Sequence, residues 1–103
     1  MPRWLARVLT RIRDLSSARQ ISFTLKARRE FAALELGLDE EDIRDLLDGL
    51  EPKDLAGRLI SETTGEWMYV FKPSLVGAPL YLKLILRNEC IVISFHEDDD
   101  DGH

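Results

Sequence analysis

The sequence has a single cysteine, Cys90, so no internal disulfide can form and nothing points to an oxidising compartment. It has no apolar run near the roughly 20 residues that a membrane-spanning helix needs. Its first residues, Pro2 to Leu9, interrupt their apolar pattern with Arg3 and Arg7, unlike the unbroken apolar stretch of a secretory signal. The expected address is therefore cytoplasmic, with no membrane association. No glycine-rich phosphate loop is present, because Gly37, Gly49, Gly57 and Gly65 are isolated turn glycines. Histidine is scarce too. His96 and His103 have no partner at metal-ligand spacing, and the Asp98–Asp101 run lacks the alternation of a calcium loop. No metal and no cofactor are expected. Ser94 and His96 share a strand face, but no third group completes a Ser-His-Asp arrangement.

What is present suits one small domain. The chain has 103 residues, 45% apolar and 32% charged, which is enough for one real core and too little for two. The net charge of −5 conceals a strong asymmetry. Residues 1–29 carry +7, residues 30–66 carry −9, residues 67–96 carry +2, and Glu97 to Asp101 carry −5. The acidic total therefore says little about nucleic-acid binding, which depends on local patches.

The apolar period divides the chain. Trp4, Leu5, Val8, Leu9, Ile12 and Leu15 recur at helical spacing, with Pro2 at the start and Ser16-Ser17 at the end. A second helix is expected from Leu25 to Leu36, packing Leu25, Phe31, Leu34 and Leu36, with Gly37 as its stop. A third starts with Asp39 as N-cap and buries Ile43, Leu46, Leu47 and Leu50. After Pro52 the period becomes two, predicting strands over 58–62, 67–72, 80–87 and 90–96. Three helical segments followed by hairpins give an α+β fold, with N-terminal helices on one face of a small antiparallel sheet. The domain is expected over 1–97, and residues 98–103 are expected to form a disordered acidic tail.

Alternation sorts the strand residues by face. Leu80, Leu82, Leu84 and Leu86 form a core stripe, as do Ile91, Ile93 and Phe95, and Trp67, Tyr69 and Phe71. Lys72, Tyr81, Lys83, Ser94 and His96 then fall on the face turned away from the helices, unless a bulge intervenes. Cations, a phenol and an imidazole on one surface suit an anionic substrate. Metal-independent RNA cleavage needs a base for the 2′-hydroxyl, an acid for the leaving 5′-oxygen, and cations around the phosphorane. An imidazole such as His96, with an unperturbed pKa of about 6.5, serves as either base or acid. Arg58, Lys72, Lys83 and Arg87 are candidate phosphate ligands, and Tyr81 is placed to hold a phosphate or stack on a base. Spacing alone does not choose between this and an ordinary solvated face, on which lysines also alternate with apolar residues. Cys90 reads as a small buried hydrophobe.

Three segments, Trp67-Met68-Tyr69-Val70-Phe71-Lys72-Pro73, Leu80-Tyr81-Leu82-Lys83-Leu84 and Ile91-Val92-Ile93-Ser94-Phe95-His96-Glu97, resemble the MqsR family of type II toxins. Leu36-Gly37-Leu38-Asp39, Gly49-Leu50 and Asp54-Leu55 extend the resemblance over about residues 20–97. The resemblance implies a RelE-like fold and an endoribonuclease that cuts messenger RNA. It also implies a cognate antitoxin, commonly with a zinc-binding Cys-x-x-Cys domain. The family's active face uses a first-strand lysine, a glutamine after the tryptophan, the tyrosine of Tyr-Leu-Lys, and a lysine after Ser-Phe. Here Tyr81 is kept, His96 replaces the lysine, Met68 replaces the glutamine, and Arg58 is the charge nearest the first-strand lysine. The implied catalytic set is Arg58, Tyr81 and His96, with Lys72, Lys83 and Arg87 binding RNA. The departures leave a second possibility open, a toxin-like interaction module without cleavage.

Overall fold

Among the described residues, two of the three α-helices begin where the sequence supplies a side-chain cap. In the computed structural model, which describes residues 1–75 and 77–98, helix α1 runs Arg3–Ser17 behind an extended Pro2. Its stripe of Leu5, Val8, Leu9, Ile12 and Leu15 is buried, with the arginines outside. A short strand β1, Ile21–Phe23, follows. Helix α2, Leu25–Leu34, starts at Thr24, whose hydroxyl accepts the Ala27 N–H at 3.1 Å. Helix α3, Glu40–Asp48, has a capping box in which Asp39 and Asp42 accept each other's backbone N–H groups. The expected N-cap Asp39 is present, and of the expected stripe Ile43, Leu47 and Leu50 are buried while Leu46 is half-buried against the core. Strands β2 (Leu55–Ile60), β3 (Trp67–Phe71), β4 (Ser74–Leu75), β5 (Ala78–Leu86) and β6 (Cys90–Glu97) complete the chain.

Among the described residues the strand order is β1-β6-β5-β3-β2, with β4 paired to the start of β5. The β2–β3, β3–β5 and β5–β6 pairs are antiparallel, as expected, but β1 lies parallel to β6. The sheet is therefore mixed. Three residues, Ile-Ser-Phe, are too few to register as an alternating pattern. Beyond Phe23, α2 takes over the same edge of β6: the Thr24 N–H donates to the Val92 carbonyl at 3.0 Å, and Glu30 accepts the Phe95 N–H at 3.0 Å. Edge groups left bare by a short strand are thus satisfied by a helix.

Two expectations about packing are corrected. Leu25 was expected in the core but is 63% exposed, and Leu36 lies beyond the helix. The helix instead buries Ala27, with Phe31 and Leu34 against the core, and ends at Glu35 in the left-handed region, φ 52°, before Gly37 is reached. The second correction concerns β6. Leu84 pairs with Val92 but Lys83 pairs with Ser94, so a bulge at Ile93 interrupts the ladder. Before the bulge Cys90 and Val92 face the core, both fully buried, and Ile91 pairs with Ile85 on the other face. After it Phe95 faces the core. The stripe expected at Ile91, Ile93 and Phe95 is therefore broken in the middle.

Candidate active site on the open face of the sheet

The same register places the polar residues. β5 alternates Leu80, Leu82 and Leu84 into the core, leaving Tyr81 and Lys83 on the face away from α1 and α3. Across β6, Tyr81 pairs with His96 and Lys83 with Ser94. On the other side Lys83 pairs with Val70, which carries the phase on to Lys72. Lys72, Tyr81, Lys83, Ser94 and His96 thus share one end of the open face, as their spacing predicts. Apolar residues fill the middle of that face. Val70 and Ile85 are buried there, and Ile91 lies beside Ile85.

Tyr81 and His96 stack with ring centroids 4.8 Å apart and planes 7° from parallel. The His96 Nδ1 lies 2.8 Å from the Glu97 carbonyl, which only accepts. Nδ1 therefore carries the proton in the neutral ring, and Nε2 is the base nitrogen. The Lys72 ammonium stands 6.0 Å from the Tyr81 ring centroid and 3.5 Å from the Asp98 carboxylate. Asp98 is the part of the expected acidic tail within the described residues; its backbone N–H bonds the Pro79 carbonyl at 2.9 Å. Residues 99–103 lie outside the described residues.

Two candidates do not join this cluster. Arg58 pairs across the strands with Tyr69, which is on the helix face and stacks on Trp4 of α1. A register shift between Leu55 and Gly57 sets that phase. The Arg58 guanidinium lies between two indoles, 4.1 Å from the Trp4 ring centroid and 3.9 Å from that of Trp67. Arg87 is six residues beyond Tyr81, about 20 Å along the strand at about 3.3 Å per residue. It is held in a two-point pair with Glu66, at 2.6 and 2.7 Å. Those bonds from Arg87 pull the Glu66 carboxyl down to about 2. Arg58 and Arg87 are thus engaged by contacts within the protein, Arg58 on the helix face and Arg87 at the far end of β5, away from the open-face cluster.

Lys26 and Glu30 adjoin the site from α2, and the apolar reading of that helix passed over them. The Lys26 ammonium bonds Ser94 Oγ and Glu30, each at 3.0 Å, and His96 acts electrostatically on Glu30. Their i, i+4 spacing was the signal available in the sequence. Cys90 is inert as expected, since burial pushes its thiol up to about 12.

Arranged this way, the surface offers an acceptor nitrogen, a hydroxyl and two lysines within one strand repeat of each other. Comparison with known proteins gives this a context. The family model described as "Motility quorum-sensing regulator, toxin of MqsA" matches residues 6–97. The mRNA interferase toxin MqsR of Escherichia coli (strain K12) is 29% identical over 90 residues, covering 86% of this chain and 90% of that protein.

Proposed function

Because the chain belongs to the MqsR toxin family, we propose that it is the toxin of a type II toxin–antitoxin pair and an endoribonuclease acting on messenger RNA. The observation that carries this reading is the stacked Tyr81–His96 pair beneath Lys72 on the open face. His96 Nε2 takes the proton of the 2′-hydroxyl, the O2′–P bond forms, and the P–O5′ bond breaks. The leaving 5′-oxygen takes a proton from the Tyr81 hydroxyl, and the His96 proton returns to Tyr81 through solvent. The products are a 2′,3′-cyclic phosphate and a 5′-hydroxyl. Lys72 and Lys83 offset the negative charge that builds on the phosphorane oxygens. His96 stands where the family has a lysine, and its neutral ring offers an acceptor nitrogen that an ammonium lacks.

The partner in this reading is a cognate antitoxin, with a zinc-binding Cys-x-x-Cys domain as the family resemblance implies. Expression without that partner, followed by mapping of RNA ends, tests the activity. New 5′-hydroxyl ends and arrested growth are the expected result; intact transcripts in cells holding folded protein would sink it. A neighbouring reading frame with paired Cys-x-x-Cys motifs would support the partner.

A second reading has its own observation. Met68 cannot donate to a phosphate, and Arg58 is committed to the helix face between Trp4 and Trp67. A toxin-like module that binds its antitoxin without cutting RNA would follow from those two departures. It predicts antitoxin binding with no RNA ends generated.

A further inference from the structure

The end of β6 is fixed by a helix from a distant part of the sequence. Lys26 and Glu30 lie on one side of α2 and both reach residues 93–95, just before His96. The Lys26 ammonium has Glu30 Oε2 at 3.0 Å, Ser94 Oγ at 3.0 Å and the Ile93 carbonyl at 3.5 Å. Glu30 uses its other oxygen to accept the Phe95 N–H at 3.0 Å. Ser94 is 3% exposed and sits directly across from Lys83.

We propose that Lys26 is a further phosphate-binding residue of this surface, with Glu30 and Ser94 holding its ammonium in place; this rests on the ribonuclease reading above. A lysine ammonium has three donors. Two are well used here, by Glu30 and Ser94, and the third reaches a carbonyl at the outer limit of a hydrogen bond. A phosphate oxygen is the better acceptor for that third donor. The Lys26 side chain is 63% exposed, so an incoming strand reaches it, whereas its partner Glu30 is 23% exposed. Lys26 also extends the positive charge of Lys83 past Ser94, toward the edge where α2 meets the sheet.

Glu30 is a positioning residue and not a second base. Burial works to raise its pKa, but the hydrogen bonds from Lys26 and from the Phe95 N–H outweigh that and lower it. A carboxylate so held is a poor proton acceptor. Its place is to anchor the helix on the strand and keep the ammonium at Ser94.

The test measures binding of a single-stranded oligodeoxynucleotide, which lacks the 2′-hydroxyl and is not cut, across a range of salt. Lys26→Gln should lower the slope of log affinity against log salt by about 0.7, one phosphate contact on a single strand. It should also cut kcat/KM on RNA by about 10- to 100-fold, the value of one charge-assisted hydrogen bond. Lys26→Arg should restore the slope and most of the rate, and all variants should melt near the parent. Glu30→Gln should lower the rate and leave the slope alone. An unchanged slope in Lys26→Gln overturns the inference, whatever happens to the rate. A parent protein that cuts RNA while Lys26→Gln matches it in slope and rate overturns this inference alone; a parent that neither binds nor cuts overturns the ribonuclease reading with it.

Discussion

The two faces of the sheet hold cations in opposite ways. On the helix face Arg58 is clasped by Trp4 and Trp67, with ring centroids 4.1 and 3.9 Å away. At the far end Arg87 is matched by both oxygens of Glu66. These guanidiniums have spent their flat faces or their donor fork on the protein itself. On the open face Lys72 and Lys83 flank a stacked phenol and imidazole, and Lys72 is met by a carboxylate at 3.5 Å. Counting positive charge therefore does not locate a phosphate site. What matters is whether each cation still has a donor directed outward.

The largest expected effect falls on the open face. Replacing His96 with Ala should reduce the rate of RNA cleavage by about 10²- to 10⁴-fold, the usual contribution of a general base. Thermal unfolding should hardly move, because the imidazole covers little core. Single-turnover cleavage and a melting curve on one preparation check both halves.

Arg58→Ala should give the reverse pattern. Losing two cation–π contacts should lower unfolding stability by roughly 1–2 kcal/mol, with kcat/KM within a few-fold of the parent. Denaturant titration and the same cleavage assay decide it. A folded, stable Arg58→Ala protein that has lost cleavage would erase the distinction between the faces.

That distinction was half legible in the sequence. Lys83 was placed by parity because β3 and β5 pair without a shift from Tyr69–Leu84 to Phe71–Leu82, and Tyr81 and Lys72 are the next residues along those two strands. Ser94 and His96 fall on the open face only because they follow the bulge; Cys90 and Val92, at the same parity before it, are buried in the core. Ile91, Val92 and Ile93 are all apolar, so nothing in their identities marks which one is the extra residue. Arg58 could not be assigned either, since the shift that sets its face lies between Leu55 and Gly57, ahead of the strand as predicted. The helices were easier. α1 and α3 combine a strong stripe with a cap, whereas α2 has an exposed leucine at its start and its chief contacts with β6 come from a lysine and a glutamate.

A smaller effect sharpens the contrast at the Arg87 end. The Glu66 carboxyl is lowered from its usual 4.5 to about 2, first by the hydrogen bonds from Arg87 and then by one from Thr64. A carboxylate depressed on folding adds stability above its unfolded pKa and loses it as pH falls through the folded one. The parent should thus lose melting temperature more steeply than Glu66→Gln between about pH 4.5 and about pH 2, while the two proteins cleave RNA equally at neutral pH. Unequal cleavage would return Arg87 to the RNA-binding surface.

The smallest effect concerns Lys72, the cation with a foot in both categories. Asp98 stands 3.5 Å from its ammonium, and a phosphate approaching Tyr81 must share that charge with the carboxylate. Removing the competing charge in Asp98→Asn should raise RNA affinity by no more than about fivefold, since a partly exposed ion pair is worth at most about 1 kcal/mol. The gain should shrink as salt rises and the Debye length falls to a few ångströms. Titrating a 2′-deoxy oligonucleotide at low and high salt separates this from a change in shape, which salt would not cancel. If affinity falls in Asp98→Asn, the carboxylate orients Lys72 for the substrate, and the open face is then as internally committed as the helix face.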